Sequence, residues 1–260
     1  MRWNKSPIML LALMASAVSL PIVHGASQPG PSTPAPQASG TPLGQLPQPG
    51  PGPDEKQKRL QAEFLVLIDP SHGGDDRGVV FAPRLYEKDV TLALARDLRK
   101  ELEDRGIPSR LLRDSDSSVS LDRRAEVTNE QRGGVYVALH AGLPGRAVRV
   151  YSPILASSPA PGTGKDRFVP WESAQAASLE RSKALARAVS RELQKKNLDV
   201  ASLRVPLRPL NNIVAPAIAV ELTPERGELR SLESSKRQNS VASAIAAGIA
   251  QMRGQMGARP

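Results

Sequence analysis

The chain has 260 residues, a formal net charge of +9 and no cysteine. The lack of cysteine excludes disulfide bonds, thiolate metal sites and a lipid-modified cysteine near the N-terminus. Aromatic residues make up only 3% of the chain, so any core must be built from Leu, Ile, Val and Ala. The positive charge favours an anionic polymer or a membrane surface as partner, but it is equally typical of a surface that keeps a protein soluble.

Residues 1–26 have the pattern of an export signal peptide. Two basic residues precede an apolar segment from Ile8 to Val23, and Gly25 and Ala26 offer a cleavage site. The apolar segment is short for a membrane-spanning helix, which needs about 20 apolar residues. We therefore predict an exported protein, in the periplasm or outside the cell. An uncleaved N-terminal anchor is the alternative, and insertion into a membrane is expected only through such an anchor.

Residues 27–62 are predicted to form a disordered linker rich in proline and glycine. Nine prolines and five glycines fall between Ser27 and Pro53. Such a segment cannot bury enough apolar surface to offset the entropy that it would lose on ordering. The linker would let a folded domain reach away from the point where the N-terminus is held.

Residues 63–254 form the predicted folded domain, which a short tail at 255–260 follows. Apolar runs predict strands at Phe64–Asp69, Ile107–Leu112, Val135–Leu139, Ala147–Tyr151 and Ala217–Glu221. Amphipathic segments predict helices at Lys88–Arg105, Leu121–Gln131, Glu172–Lys196 and Val241–Met252. Strands that alternate with helices predict an α/β fold, a single domain whose mixed, mainly parallel central sheet is covered by helices on both faces.

Local signals refine two of these helices. Val90, Leu94, Leu98 and Leu102 form one apolar stripe along the first helix, and Gly106 is placed to end it. Ser120 is the expected N-cap of the second helix, whose apolar positions are Leu121, Ala125 and Thr128.

The segment Ser152–Trp171 interrupts the alternation of strands and helices. It is rich in Pro, Gly and Ser but contains Phe168 and Trp171. Either it covers a substrate, or its aromatic residues anchor it to the next helix, and we favour the anchor. The outer face of that helix is basic, and a solvated surface is the simplest explanation for it.

Without the signal peptide the chain has two histidines, His72 and His140, and each follows or ends a predicted strand. Ligands collect outside the carboxyl ends of the strands in open α/β sheets. Glu87 and Glu221 are the candidate carboxylates. Two histidines, one carboxylate and a further glutamate acting as base match a catalytic zinc site. Hydrogen-bonded core histidines, and a solvent-exposed or salt-bridged Glu221, are the alternatives at this point.

Four segments resemble a known enzyme family. They are Ile68-Asp-Pro-Ser-His72-Gly-Gly-Asp-Asp76-Arg-Gly78, Glu87-Lys-Asp-Val90, Ala138-Leu-His140-Ala and Ala217-Ile-Ala-Val-Glu221-Leu. Together, in this order, they resemble the zinc-dependent N-acetylmuramoyl-L-alanine amidases of the Amidase_3 type. The resemblance extends from about Phe64 to Met252.

The resemblance implies a role for each matching residue. His72, Glu87 and His140 match zinc ligands, and Glu221 matches the catalytic glutamate. The implied reaction is hydrolysis of the amide bond between N-acetylmuramic acid and L-alanine in peptidoglycan, with Zn²⁺ as cofactor. Asp76 is interpreted as a residue that supports the site or caps a turn, and Gly73 and Gly74 as residues that allow close backbone approach near the metal.

Three departures from the family pattern stand next to these residues. Ser71 replaces a glycine, which requires a negative φ at this position; Gly142 replaces a common asparagine; and Leu222-Thr-Pro replaces the usual continuation. The alternative function is therefore a catalytically silent module that binds the cell wall or an envelope partner. An envelope activator protein is a further expected partner. Nucleic acid is not, because no recognised motif for it is present.

Overall fold

The structure is a computed structural model that describes residues 64–131, 134–143, 145, 147–155 and 171–257. The predicted signal peptide, the predicted linker and residues 156–170 of the segment after Ser152 lie outside the described residues. The interpretations of those three segments therefore stay predictions. Within the described part of the chain, no helix is both long and apolar enough to cross a membrane.

Eight strands of the described residues form one large sheet and one small hairpin. In chain order they are β1 (Val66–Pro70), β2 (Val80–Ala82), β3 (Leu85–Tyr86), β4 (Ser109–Leu111), β5 (Val135–Ala141), β6 (Val148–Pro153), β7 (Val200–Val205) and β8 (Ala217–Leu222). The six-stranded sheet has the order β4-β1-β5-β8-β6-β7, and β2 pairs with β3 apart from it. Strands β4, β1, β5 and β8 run parallel, whereas β6 is antiparallel to β8 and parallel to β7.

Four α-helices and three 3-10 segments complete the described fold. The helices are α1 (Glu87–Glu103), α2 (Leu121–Glu130), α3 (Leu179–Lys195) and α4 (Ser235–Gly257). The 3-10 segments span Trp171–Ser178, Leu210–Asn212 and Leu229–Glu233.

The two faces of the sheet are covered unequally. Alternate residues of β5 face opposite sides: Val135, Val137 and Leu139 belong to one buried cluster, and Tyr136 and Ala138 to the other. The first cluster also contains the apolar faces of the three long helices α1, α3 and α4. The second is completed by the short helix α2 and by residues around the 3-10 segment at 210–212. The predicted α/β fold, with a mixed sheet covered on both faces, is confirmed.

The first two helices form largely as predicted. The stripe of α1 is fully buried, and Ser120 caps α2 because its side chain accepts a hydrogen bond from the Arg123 N–H at 3.2 Å. Of the apolar positions of α2, Ala125 and Thr128 are buried, whereas 48% of the surface of Leu121 is exposed. Arg124 takes the buried position in the first turn of α2 instead.

The second half of the chain departs further from the predicted elements. The predicted helix Glu172–Lys196 is a 3-10 segment followed by α3, and α4 begins earlier and ends later than expected. The side-chain amide of Gln175 donates to the carbonyl oxygens of Ile213 and Ala215, which fixes the 3-10 segment against the chain before β8. Strand β7 and the β2–β3 hairpin were not predicted.

Helices α3 and α4 pack closely at Gly248. A Cβ atom at this residue would lie 2.8 Å from the Val189 Cα and N atoms. Both atoms belong to the backbone of α3, so a larger residue at 248 would push the two helices apart.

We expect Gly248→Ala to lower the free energy of unfolding by on the order of 1–3 kcal/mol, because overpacking a helix interface displaces backbone. Urea denaturation of the full chain measures this change. Gly254→Ala is the matched control in the same helix, since nothing lies within 4 Å of its added Cβ. The control should be neutral or stabilising by about 0.5–1 kcal/mol. Equal effects of the two substitutions would contradict the packing argument.

Candidate metal centre

The three predicted ligands come together beyond the carboxyl ends of β1 and β5. His72 follows β1, His140 is in β5, and Glu87 is the first residue of α1. One ligand atom from each residue lies within 4.8 Å of the other two. The two imidazole rings are 5.9 Å apart between centroids and nearly perpendicular, at 80°. The structure thus brings together three residues that are far apart in sequence.

Glu87 is the buried centre of this cluster. Its Oε1 lies 3.0 Å from His140 Nδ1 and its Oε2 lies 3.2 Å from His72 Nε2. The backbone N–H groups of Val79 and Ala141 also donate to the carboxylate, at 3.0 and 3.2 Å. Burial alone would raise the pKa of Glu87, but the hydrogen bonds from His140, His72 and Val79 hold it well below its ordinary value. The residue is therefore ionised at neutral pH.

The outer nitrogen of each imidazole has its own partner. His72 Nδ1 lies 2.8 Å from Asp76 Oδ2, and His140 Nε2 lies 2.9 Å from Ser71 Oγ. Hydrogen bonds of this kind orient histidine ligands and select their tautomer. They leave Nε2 of His72 and Nδ1 of His140 facing the same point, next to Glu87.

The departure at Ser71 fits the local backbone. The positive φ of this turn, +64°, falls on His72 and not on Ser71. Asp76 also supports the turn, because its Oδ1 accepts from the Gly78 N–H at 3.1 Å. Gly73 was expected to allow close backbone approach near the metal. A Cβ atom added to Gly73 would instead lie 2.2 Å from the carbonyl oxygen of Ser117. Gly78 packs against the predicted ligands, because a Cβ atom added to Gly78 would lie 2.6 Å from Glu87 Oε2.

The turn carrying His72 is held by two buried arginines that sequence reasoning did not single out. Arg113 donates to the carbonyl oxygens of Pro70 at 2.9 Å and Ser71 at 3.1 Å. Arg124 donates to the carbonyl oxygen of His72 at 3.0 Å and forms an ion pair with the buried Asp69 carboxylate. Their burial was not predicted, because basic residues in polar segments are usually solvent-exposed.

Glu221 lies beside the cluster but outside it. It is the register partner of His140 in the neighbouring strand β8. Its Oε1 lies 2.8 Å from Arg149 Nη1, and its Oε2 accepts a hydrogen bond from the Tyr151 hydroxyl. A salt bridge, which was one of the alternatives for Glu221, is therefore present. Its catalytic role stays a prediction.

We expect His72 of the metal-free protein to titrate near pH 8. The hydrogen bond that His72 donates to Glu87 raises its pKa to about 8, although burial acts in the opposite direction. Because the folded-state pKa is raised, protonated His72 stabilises the fold fully below pH about 6.5, and this contribution is lost as the pH rises through about 8. Imidazole NMR titration measures the midpoint.

Glu87→Gln should move the midpoint of His72 back towards its ordinary value. Asp76→Asn is the control and should move it less, because Glu87 makes the larger contribution. An unchanged midpoint in Glu87→Gln would contradict the assignment.

Comparisons with known proteins identify the family of this chain. The family model Amidase_3, N-acetylmuramoyl-L-alanine amidase, matches residues 66–251. The N-acetylmuramoyl-L-alanine amidase AmiA of Salmonella typhimurium strain LT2 is 35% identical over 86 residues, which are 33% of this chain and 30% of that relative. The chain thus aligns with less than a third of the length of this curated relative.

Two solved structures share the fold. The N-acetylmuramoyl-L-alanine amidase AmiC2 of Nostoc punctiforme has a TM-score of 0.57 and 27% identity, over 73% of this chain and 96% of that chain. The CwlD amidase of Clostridioides difficile, solved in complex with the GerS lipoprotein, has a TM-score of 0.56 and 23% identity, over 74% of this chain and 99% of that chain. At 23% identity, the comparison with CwlD supports only the fold. Because the family model spans well over half of the sequence, the chain belongs to the N-acetylmuramoyl-L-alanine amidase family of the Amidase_3 type.

Proposed function

We propose that this protein is an exported zinc-dependent amidase that hydrolyses the amide bond between N-acetylmuramic acid and L-alanine in peptidoglycan. The observation that carries the proposal is the cluster of His72, Glu87 and His140, whose ligand atoms lie within 4.8 Å of one another. The family membership supports the substrate class, and the second glutamate beside the cluster supports a hydrolytic reaction.

The donor set of the cluster fits zinc. Catalytic zinc sites commonly use three protein ligands, two histidines and a glutamate among them, and keep a fourth position open. In this chain Glu87 is ionised and each histidine has its outer nitrogen already hydrogen-bonded, as zinc-binding histidines usually do. When bound, zinc supplies Lewis-acid chemistry, which polarises the amide carbonyl and makes water a better nucleophile at neutral pH.

Glu221 is the proposed general base. It would accept a proton from the attacking water, whose oxygen forms a bond with the carbonyl carbon. As the carbon–nitrogen bond breaks, Glu221 would return a proton to the leaving amine of L-alanine. Its register pairing with His140 in the sheet supports this role, because it brings the carboxylate close to one of the proposed ligands.

The remaining proposals concern the ends of the chain and its partners. Residues 1–26 would direct export, through cleavage or as an anchor, and residues 27–62 would tether the domain that follows. An envelope protein is a further proposed partner. The complex of the structurally similar CwlD with a lipoprotein supports this proposal by analogy alone.

Two substitutions separate the proposed roles of ligand and base. His140→Ala should lose zinc and activity together, whereas Glu221→Gln should keep zinc and lose release of peptide stems from purified sacculi. Zinc is counted by elemental analysis, and free peptides by chromatography. Cleavage by Glu221→Gln would remove this residue from the base role. Zinc binding without any cleavage by the natural chain would favour the catalytically silent module.

We expect Ser71→Ala to weaken zinc binding by about 10–100-fold, because it removes the hydrogen bond that orients His140. Competition with a chromophoric chelator measures the affinity. Ser190→Ala is the matched control: both serines are 7% exposed, and each makes a side-chain hydrogen bond of 2.9 Å, Ser190 with Ser202. The control should bind zinc as the natural chain does. Equal affinities of the two variants would exclude an orienting role for Ser71.

A further inference from the structure

Both carboxylate oxygens of Glu221 are held by strand β6. Arg149 and Tyr151 alternate along β6 and therefore point to the same face of the sheet. The antiparallel register places Arg149 directly opposite Glu221, and Tyr151 opposite Ala219. One oxygen thus lies 2.8 Å from the guanidinium Nη1, and the other accepts from the phenol hydroxyl.

Room for the carboxylate comes from Gly142. A Cβ atom at residue 142 would lie 1.7 Å from Glu221 Oε1 and 2.8 Å from its Cδ. No side chain larger than that of glycine can coexist with Glu221 in this position. Gly142 is also one of the residues at which the chain departs from the family pattern, so the free space is a feature of this sequence.

We propose that Arg149 and Tyr151 are positioning residues that hold the carboxylate of Glu221, and that Gly142 provides the space in which they hold it. The inference rests on the proposed function, in which Glu221 is the base. Fixing both oxygens would keep the base in one orientation relative to the substrate, which a flexible glutamate side chain could not do alone.

The chemistry of the three groups suits this role. Arg149 stays charged, and its hydrogen bond to a carboxylate is of the strong, charge-assisted kind. Burial, and then the hydrogen bond to Glu221, raise the pKa of Tyr151 to about 12, so its hydroxyl remains a donor at neutral pH. A carboxylate has about four acceptor sites, so two hydrogen bonds leave others free to accept a proton.

Gly142→Ala tests the inference directly. The group that the new methyl would meet is the end of a flexible side chain, so Glu221 should move while the fold stays intact. Because misplacing a catalytic group by about 1 Å can cost 100-fold, we expect kcat to fall by about 100-fold with KM and zinc content unchanged. Arg149→Gln should act in the same direction, and Arg149→Lys should restore part of the loss.

Arg208→Gln is the control for the loss of an ion pair. Arg208 lies 2.8 Å from Asp122, the same distance as Arg149 from Glu221. This variant should keep the natural kcat.

A second measurement does not depend on activity. A double-mutant cycle of Arg149→Gln and Glu221→Gln, read from the unfolding of the full chain in urea, should show coupling between the two residues. The same cycle in the Gly142→Ala background should show none, because the added methyl displaces the carboxylate.

The outcomes separate the inference from the proposed function. A natural kcat in Gly142→Ala, or coupling that persists in that background, would overturn the positioning role. If the natural chain releases no peptide, the proposed activity fails, and the two cycles still decide where Glu221 is held.

Discussion

Two buried guanidinium groups hold the backbone turn on which the candidate metal centre depends. Arg113 and Arg124 are 4% and 3% exposed, and they bind the consecutive carbonyl oxygens of residues 70–72. A buried charge is costly unless it is paired, and here Asp69 and the carbonyl groups satisfy it. The strained φ of His72 is held in place by this network, which aims Nε2 of the ring at Glu87.

The side chains of the site are held in two different ways, because the sheet contains both parallel and antiparallel strand pairs. The parallel strands β1, β5 and β8 bring His72, His140 and Glu221 to one end, as expected for an open α/β sheet. Strand β6 runs antiparallel to β8, and its register places Arg149 directly opposite Glu221. The ligands therefore rely on turns and a helix start, whereas the proposed base relies on cross-strand pairing.

Sequence reasoning predicted features whose cause is local. The stripe of α1 and the cap at Ser120 are local signals, and buried strands are continuous apolar runs, so the fold class followed from them. Strand β7 was missed because its residues are exposed or only half-buried at the sheet edge and carry no apolar alternation. The burial of Arg124 and the fit of Gly142 against Glu221 depend on contacts between distant residues, which no local pattern encodes. His72, His140 and Glu221 were found because strand ends mark them, and Glu87 because it stands where a helix begins. Asp76 was interpreted as a supporting residue, but the contacts of Arg149 and Tyr151 with Glu221 were not predicted.

The space at Gly142 also constrains how this sequence can change in evolution. A side chain at 142 and the present position of the Glu221 carboxylate exclude each other. A larger residue at 142 can therefore be accepted only together with another position of the carboxylate, one that gives up the present contact with Arg149. Substitutions at 142 and 149 are thus linked through Glu221, which lies against both.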